Sequence, residues 1–303
     1  MSGAGLFDWI RFGDVSMQIG QDMSLDRLEG VLRRFQVNVE LFHTGPLCGT
    51  ESFDALPGRG FLHVLRGGEM DAHQALPGHP RRLPLAEPTL LFYPGGAPHR
   101  FAPRVDAAAP LLTCAAVHFE GGPQHPLVAG LPPLVVLPVR AVAGLQASLD
   151  LLFDEADQVR CGHRLLADRL FEVVLIQLLR WLFDHAAQAR VTPGLIQALS
   201  DRRLARAIVA IHGQPGHAWT LDELAAEAGM SRAGLTTAFR RHMARSVGDY
   251  LSDYRVLVAK RELSLGRPVA LVADELGYAS PAAFARMFKA RAGQTPREWA
   301  ARA

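Results

Sequence analysis

The feature that most limits how this chain can fold is a local pattern written twice near its carboxyl end, about fifty residues apart. In the second copy, Ala270, Val272, Ala273 and Leu276 form one helix face, Gly277 breaks the helix, and Ser280 is placed to cap another. In that next helix Phe284, Met287 and Phe288 stand at i, i+3 and i+4 and turn inward, which leaves Ala282, Ala283, Arg286 and Lys289 toward solvent. Gly293 stops it, and Thr295-Pro296 starts a last short segment. In the first copy Thr220 caps a helix with Glu223 at the capping-box position, Leu221, Leu224, Ala225 and Ala228 form its apolar face, and Gly229 turns the chain. Ser231 then caps a helix buried through Leu235, Ala238 and Phe239, which exposes Arg232, Ala233, Thr236, Thr237 and Arg240. A helix with small residues at its start and cations further along fits a DNA major groove.

Between the copies, Gly248 to Leu265 reads as a single helix with Tyr250, Leu251, Tyr254, Leu257, Val258 and Leu263 on its apolar side. Eighteen residues span roughly 27 Å at about 1.5 Å each, comparable to the roughly 34 Å between successive major-groove faces. Charge follows the same division. Residues 201–303 carry 16 Lys and Arg against 10 Asp and Glu, whereas the whole chain is only +2. The surplus therefore sits where phosphate neutralisation needs it, although on charge alone it is equally a solvated face.

These residues resemble the AraC/XylS family of bacterial transcription regulators over about a hundred positions. The matching residues are Gly277-Tyr278, Ser280, Phe284, Arg286, Phe288-Lys289, Gly293 and Thr295-Pro296, and, upstream, Leu224-Ala225, Met230-Ser231, Leu235, Phe239, Tyr250-Leu251, Arg255, Ala259 and Leu263. The resemblance implies that both recognition helices face the major groove, with base-edge roles for Arg286 and for Ala233, Thr236 and Thr237. It also implies double-stranded promoter DNA and RNA polymerase as partners, and activation as the usual outcome. Trp299 stands where Tyr is usual.

From about Leu32 to Leu137 the chain changes to short apolar runs separated by Gly and Pro. Strands are predicted at Val37 to Phe42, Gly60 to Leu65, Thr89 to Tyr93, Leu111 to Phe119 and Leu134 to Leu137, with turns at Gly67-Gly68, Pro77-Gly78 and Gly95-Gly96. Such spacing suggests a sandwich or barrel. Pro94-Gly95-Gly96-Ala97-Pro98-His99 resembles the second motif of the cupin barrel, and Phe61-Leu62-His63-Val64-Leu65 resembles the first strand of cupin domains attached to AraC-type regulators. Cys114, Phe119-Glu120-Gly121-Gly122 and the segment from His125-Pro126-Leu127 to Leu131-Pro132-Pro133 are similar to the RclR-like subgroup, which includes reactive-chlorine sensors.

Four side chains are candidates to meet in this barrel: Cys48, His63, His99 and Cys114. Two thiolates and two imidazoles suit tetrahedral Zn²⁺. The same set equally describes a redox-responsive thiol, or ordinary packing, since a lone buried Cys commonly behaves as a small hydrophobe. The scattered His43, His73, His79, His118 and His125 read as surface or loop residues. A metal-dependent cupin enzyme or metal-binding protein is the competing class. An oxygen-activating cupin needs a two-histidine first motif with a carboxylate. His63 is followed two residues later by Leu65, so the chain is not expected to be an enzyme.

Ala141 to Ala189 reads as helical, and its second helix, about His163 to Ala187, is apolar on most faces. So wide a stripe is covered either by a second subunit, giving a homodimer, or by a hairpin with Ala147 to Asp157. Thr192-Pro193-Gly194 looks like a hinge, with Arg202 to Ile211 as the next helix. Met1 to Trp9 lacks the basic start and apolar run of a secretory signal, and Val173 to Phe183 is too short to span a bilayer. Three dispersed cysteines fit a reducing compartment. The expectation is a cytoplasmic α+β multidomain protein without membrane association. A cupin β-barrel with its N-terminal segment (1–140) senses a small-molecule, metal or oxidant effector. A helical linker or dimerisation segment (141–193) joins it to an all-α DNA-binding domain (200–303) with helix-turn-helix units at 220–242 and 269–292.

Overall fold

The computed structural model describes residues 25–302 apart from Pro57 and Arg190, so the sequence reading of Met1 to Trp9 lies outside the described residues. Nine strands come first after a short helix α1, Glu29–Leu32: β1 Val37–Pro46, β2 Glu51–Phe53, β3 Arg59–Gly67, β4 Met70–Gln74, β5 Arg82–Leu85, β6 Thr89–Tyr93, β7 His99–Pro103, β8 Leu111–Phe119 and β9 Val135–Pro138. They form two antiparallel sheets, in the orders β1-β8-β3-β6-β9 and β2-β7-β4-β5. The turn between β6 and β7 needs glycine: Gly96 has φ 65°, and a Cβ there would stand 2.1 Å from the Arg59 carbonyl oxygen.

Side-chain alternation divides the larger sheet into two faces. Phe61, Leu65, Leu91, Tyr93, Leu112 and Cys114 point to the space between the sheets and meet Met70, Ala72 and Phe101 from the smaller one. Leu62, Val64, Leu90, Ala115 and Val117 point outward into a second, larger core. That core is closed by α2, Leu145–Asp157, and α3, His163–Asp184, which pack as a hairpin, with α3 also lying on β1. The hairpin thus covers much of the wide apolar stripe, leaving Leu151, Leu165, Leu166 and Val173 exposed.

The remaining helices are α4 Leu195–Ser200, α5 Arg202–Gly213, α6 Leu221–Glu227, α7 Arg232–Met243, α8 Val247–Ser264, α9 Val269–Glu275, α10 Pro281–Ala292 and α11 Pro296–Ala300. Among the described residues no helix is long and apolar enough to cross a membrane. The segment read as a hinge leads straight into α4, whose Leu195, Ile196, Ala198 and Leu199 are buried. Gly194 lies so close to Gly130 that its Cβ would be 2.9 Å from the Gly130 Cα, and its N–H donates to the His242 carbonyl at 2.8 Å. The sequence signal of Pro and Gly was a close approach rather than slack.

Several histidines are buried in neutral form. Burial lowers His99 to about 4, His125 to about 4 and His212 to about 3, and holds His63 well below its ordinary value, with His99 and His43 adding to the effect. Each folded pKa lies below the unfolded value of about 6.5, so the unfolded chain binds more protons as pH falls from about 6.5 toward about 4. Stability is therefore full above about pH 6.5 and is lost through that window, by up to about 1.4 kcal/mol per pH unit for each histidine. Urea unfolding at pH 7.5 and pH 5 checks this; equal midpoints would contradict it.

Candidate nucleic-acid interface

Both copies of the sequence pattern fold as helix, turn, helix. In the first, the Thr220 hydroxyl accepts from the Glu223 N–H at 3.2 Å while the Glu223 carboxylate accepts from the Thr220 N–H at 2.8 Å, a complete capping box. Gly229 turns the chain at φ 60°, and the Ser231 hydroxyl accepts from the Gly234 N–H at 3.1 Å to start α7. In the second, Gly277 turns at φ 76°, the Ser280 hydroxyl accepts from the Ala283 N–H at 3.2 Å, and Pro281 occupies the first position of α10. Leu235 and Phe239 anchor α7, and Phe284 and Phe288 anchor α10, all fully buried.

That anchoring fixes what each recognition helix shows to solvent. On α7, Arg232, Ala233, Thr237 and Arg240 are exposed, and on α10 so are Ala282, Arg286 and Lys289; Ala283 is half-buried. Thr236 is half-buried as well, and its hydroxyl donates to the Arg232 carbonyl at 2.9 Å, leaving less of it free for a base edge. Arg232 reaches Asp222 at 3.1 Å, an exposed pair of little strength.

Two groups of cations stand in contrast. Arg240, Arg241, Arg286 and Lys289 are exposed and enter no ion pair among the described residues. Arg245, Arg261, Arg267 and Arg291 are instead held by Asp253, by Glu120 and Glu262, by Glu262 and Glu275, and by Asp249 and Asp253. Lys260, which lies on the spacer helix and is cationic enough to be read as a phosphate contact, is committed elsewhere. Its Nζ donates to Gln124 of the sheet domain at 2.7 Å and lies 4.6 Å from the Trp299 ring centroid, and burial lowers its pKa.

Of the four side chains expected in the barrel, three face the interior. His63 stands opposite Cys114 in the β3–β8 register, and the His63 and His99 Nε2 atoms are 2.9 Å apart. His99 Nδ1–H donates to the Ala97 carbonyl at 2.8 Å, which leaves its Nε2 as the acceptor; His63 Nε2–H donates to it. Tyr93 and Phe53 stack on the two-histidine pair, with ring centroids 3.8 and 4.8 Å from His99. Cys114 is fully buried and its thiol is pushed up by burial, so it stays protonated. Cys48 is exposed, its Sγ 3.8 Å from the Pro46 carbonyl oxygen, and does not join them. The tetrahedral Zn²⁺ arrangement therefore does not form: among the described residues no three His, Cys, Asp or Glu side chains are placed to hold a metal ion.

Two histidines read as surface or loop residues are placed differently. His125 is buried against Phe35 and Phe119. His43 faces the interior because a β-bulge at Leu41/His43 adds one residue to β1 and puts His43 opposite Cys114. Its Nε2 and the His63 Nδ1 are buried without a partner among the described residues. Strict alternation along Val37–Pro46 would have turned His43 outward, so no signal in the sequence marked it.

Comparison with known proteins agrees with this division. The family model described as Cupin matches residues 26–184, more than half of the chain and including α2 and α3; a model described as Helix-turn-helix domain matches 224–302. An AraC-like transcription regulator of Streptomyces antibioticus is 31% identical over 179 residues, 58% of this chain and 58% of that one. A helix-turn-helix transcriptional regulator of Haemophilus influenzae is 36% identical over 143 residues, 46% of this chain and 47% of that one. RclR of Escherichia coli, named as a transcriptional activator specific for RCS, is 26% identical over 214 residues, 69% of this chain and 74% of that one. The chain thus spans about half of the length of the first two relatives it matches.

Proposed function

Because the chain belongs to the AraC/XylS family of regulators, in the group that carries a cupin domain, we propose that it is a one-component transcription regulator that binds promoter DNA through α7 and α10. The observation that carries this reading is the set of exposed cations Arg240, Arg241, Arg286 and Lys289, unpaired among the described residues, on two capped helices whose opposite faces are fixed in the core. Phosphate contacts from Arg240, Arg241 and Lys289 position the helices, while Arg286 and the side chains at the helix starts meet base edges. The division of labour follows the chain: residues 1–140 sense an effector, 141–193 dimerise, and 200–303 bind DNA. A small molecule acting on the barrel interior around His63 and His99 is the signal, and contact with RNA polymerase in the cytoplasm makes the protein an activator; the buried, protonated Cys114 thiol does not favour an oxidant acting on it. Support for a homodimer comes from Leu165, Leu166 and Val173, which line the outer face of α3 and are 42 to 64% exposed. A metal-dependent cupin enzyme is not favoured, because the similar proteins are named as regulators.

Arg286→Ala is the direct test. The variant should weaken binding to a duplex selected by the full chain by about 1 to 3 kcal/mol, and should relax preference at one base pair. Fluorescence anisotropy against that duplex and its single-base variants reads both effects. Equal affinity of wild type and variant on every sequence removes Arg286 from base readout.

A further inference from the structure

The spacer helix α8 joins the two helix-turn-helix units, but its ends do not by themselves fix how one unit sits against the other. Before it the chain passes through Ala244, at φ 54°, and after it through Gly266, at φ 79°. Each is a left-handed turn at which the chain changes direction into or out of α8. A further set of contacts, one of them from the end of α10 itself, joins the two units directly.

The loop that leads into the first unit lies directly on the turn of the second. A Cβ on Gly216 would stand 2.1 Å from the Glu275 carbonyl oxygen, and one on Gly277 would stand 2.0 Å from the Gly216 carbonyl oxygen. Two backbones meet here with no room for a side chain. Arg255, midway along α8, ties the same loop down: Nε–H donates to the Pro215 carbonyl at 2.6 Å and an Nη2–H to the His217 carbonyl at 2.8 Å. Its guanidinium lies 5.6 Å from the ring centroid of Tyr278, the residue after the turn glycine. The loop is in turn joined to the first unit, since Trp219 Nε1–H donates to the Gln214 carbonyl at 3.0 Å next to the Thr220 cap. On the far side Arg291 of α10 bridges Asp249 and Asp253 of α8 at 2.8 and 2.6 Å.

We propose that Arg255 and the Gly216–Gly277 backbone contact set the register between the two recognition helices, so that the chain accepts its two DNA segments at one spacing only. Arg255 is then a positioning residue, spent on two carbonyls rather than on phosphate. The inference rests on the DNA-binding reading above. Its physical content is a mismatch of scales: one inserted base pair displaces the second segment by about 3.4 Å and turns it by roughly 35°, whereas backbones in contact cannot give by more than a fraction of an ångström.

The test uses the full chain and a duplex that it selects from a randomised pool, remade with one base pair inserted or removed between the two contacted segments. Wild type should lose about tenfold or more in affinity on either change. Gly216→Ala is the informative variant, because Gly216 does not need the left-handed backbone that Gly277 has; Arg255→Gln removes the other tie without touching the glycines. Both should bind the original spacing more weakly and lose the spacing penalty to within about threefold, while Arg255→Lys, which still donates to a carbonyl, should keep more of it. Circular dichroism and the unfolding midpoint confirm that each variant is folded. A role confined to stability would lower affinity equally at every spacing and leave the ratio unchanged, and that result overturns the proposal. So does a flat spacing series for wild type. Failure of the wild type to select any duplex overturns the DNA-binding reading itself, and the register proposal with it.

Discussion

Raising monovalent salt from about 50 to about 200 mM is expected to weaken binding to the selected duplex by roughly 10² to 10³-fold. The size comes from counting the cations of the two recognition helices that are free to meet phosphate. Arg240, Arg241, Arg286 and Lys289 are exposed and unpaired among the described residues, and Arg232 is held only by an exposed carboxylate. Four or five released counterions per chain give a log–log slope of about −0.9 for each, which a fourfold rise in salt converts into that loss. Arg240→Gln should reduce the slope by about one. Lys260→Gln should leave it unchanged, because the half-buried Lys260 is already committed to Gln124 and Trp299. Anisotropy titrations at four salt concentrations read both. A slope near −1 for wild type, or a Lys260 variant that behaves like the Arg240 one, would show that the interface has been placed on the wrong face.

Phe284→Ala should destabilise the carboxyl-terminal helices by about 3 to 5 kcal/mol. The ring is fully buried, with centroids of Tyr278 and Phe288 at 5.4 and 5.6 Å. The second unit is small, built on α9 and α10 with α11 capped behind them, so few neighbours can shift to fill the space. Arg286, two residues on, is exposed, and its replacement should not change stability at all. The pair separates fold from readout: urea unfolding moves for Phe284→Ala alone, while base preference changes for Arg286→Ala with the midpoint fixed. A shift below about 1 kcal/mol for Phe284→Ala would mean that the pocket collapses far more easily than close packing implies.

The carboxyl-terminal helices were legible because their signals are local. Caps such as Thr220, Ser231 and Ser280, and turn residues such as Gly229 and Gly277, act on backbone groups within three or four positions, so the order of residues carries them. The spacer came within one residue of its observed ends, Val247–Ser264. The sheet domain was legible only in part. Strands with long apolar runs, β6 and β8, matched the reading, whereas β2, β4, β5 and β7 did not stand out. Met70–Gln74 carries Asp71 and His73 between its inward residues, Arg82–Leu85 contains Pro84, and Glu51–Phe53 has three residues; each is a strand because a neighbour pairs with it. The helix α4 was hidden for a similar reason: six residues make a helix only where Gly130 and α7 already offer a surface.

The same distinction explains the side chains. Burial of His125 and exposure of Cys48 depend on which distant segment lies over them, and the inward turn of His43 depends on one extra residue in a strand pairing. Lys260 is a polar residue of the spacer helix, but what it meets there is the sheet domain, through Gln124 and the neighbouring Arg261–Glu120 pair. Amphipathic pattern tells which side of a helix is polar. It does not tell what the polar side meets.

Hydroxyl-radical footprinting of the full chain on its selected duplex tests the central claim most directly, that α7 and α10 enter the groove together. The account expects two protected segments for each bound chain, on one face of the duplex and about one helical turn apart, with protection of one of them lost in Arg286→Ala at limiting protein. A single protected segment for each chain, or none, would contradict it.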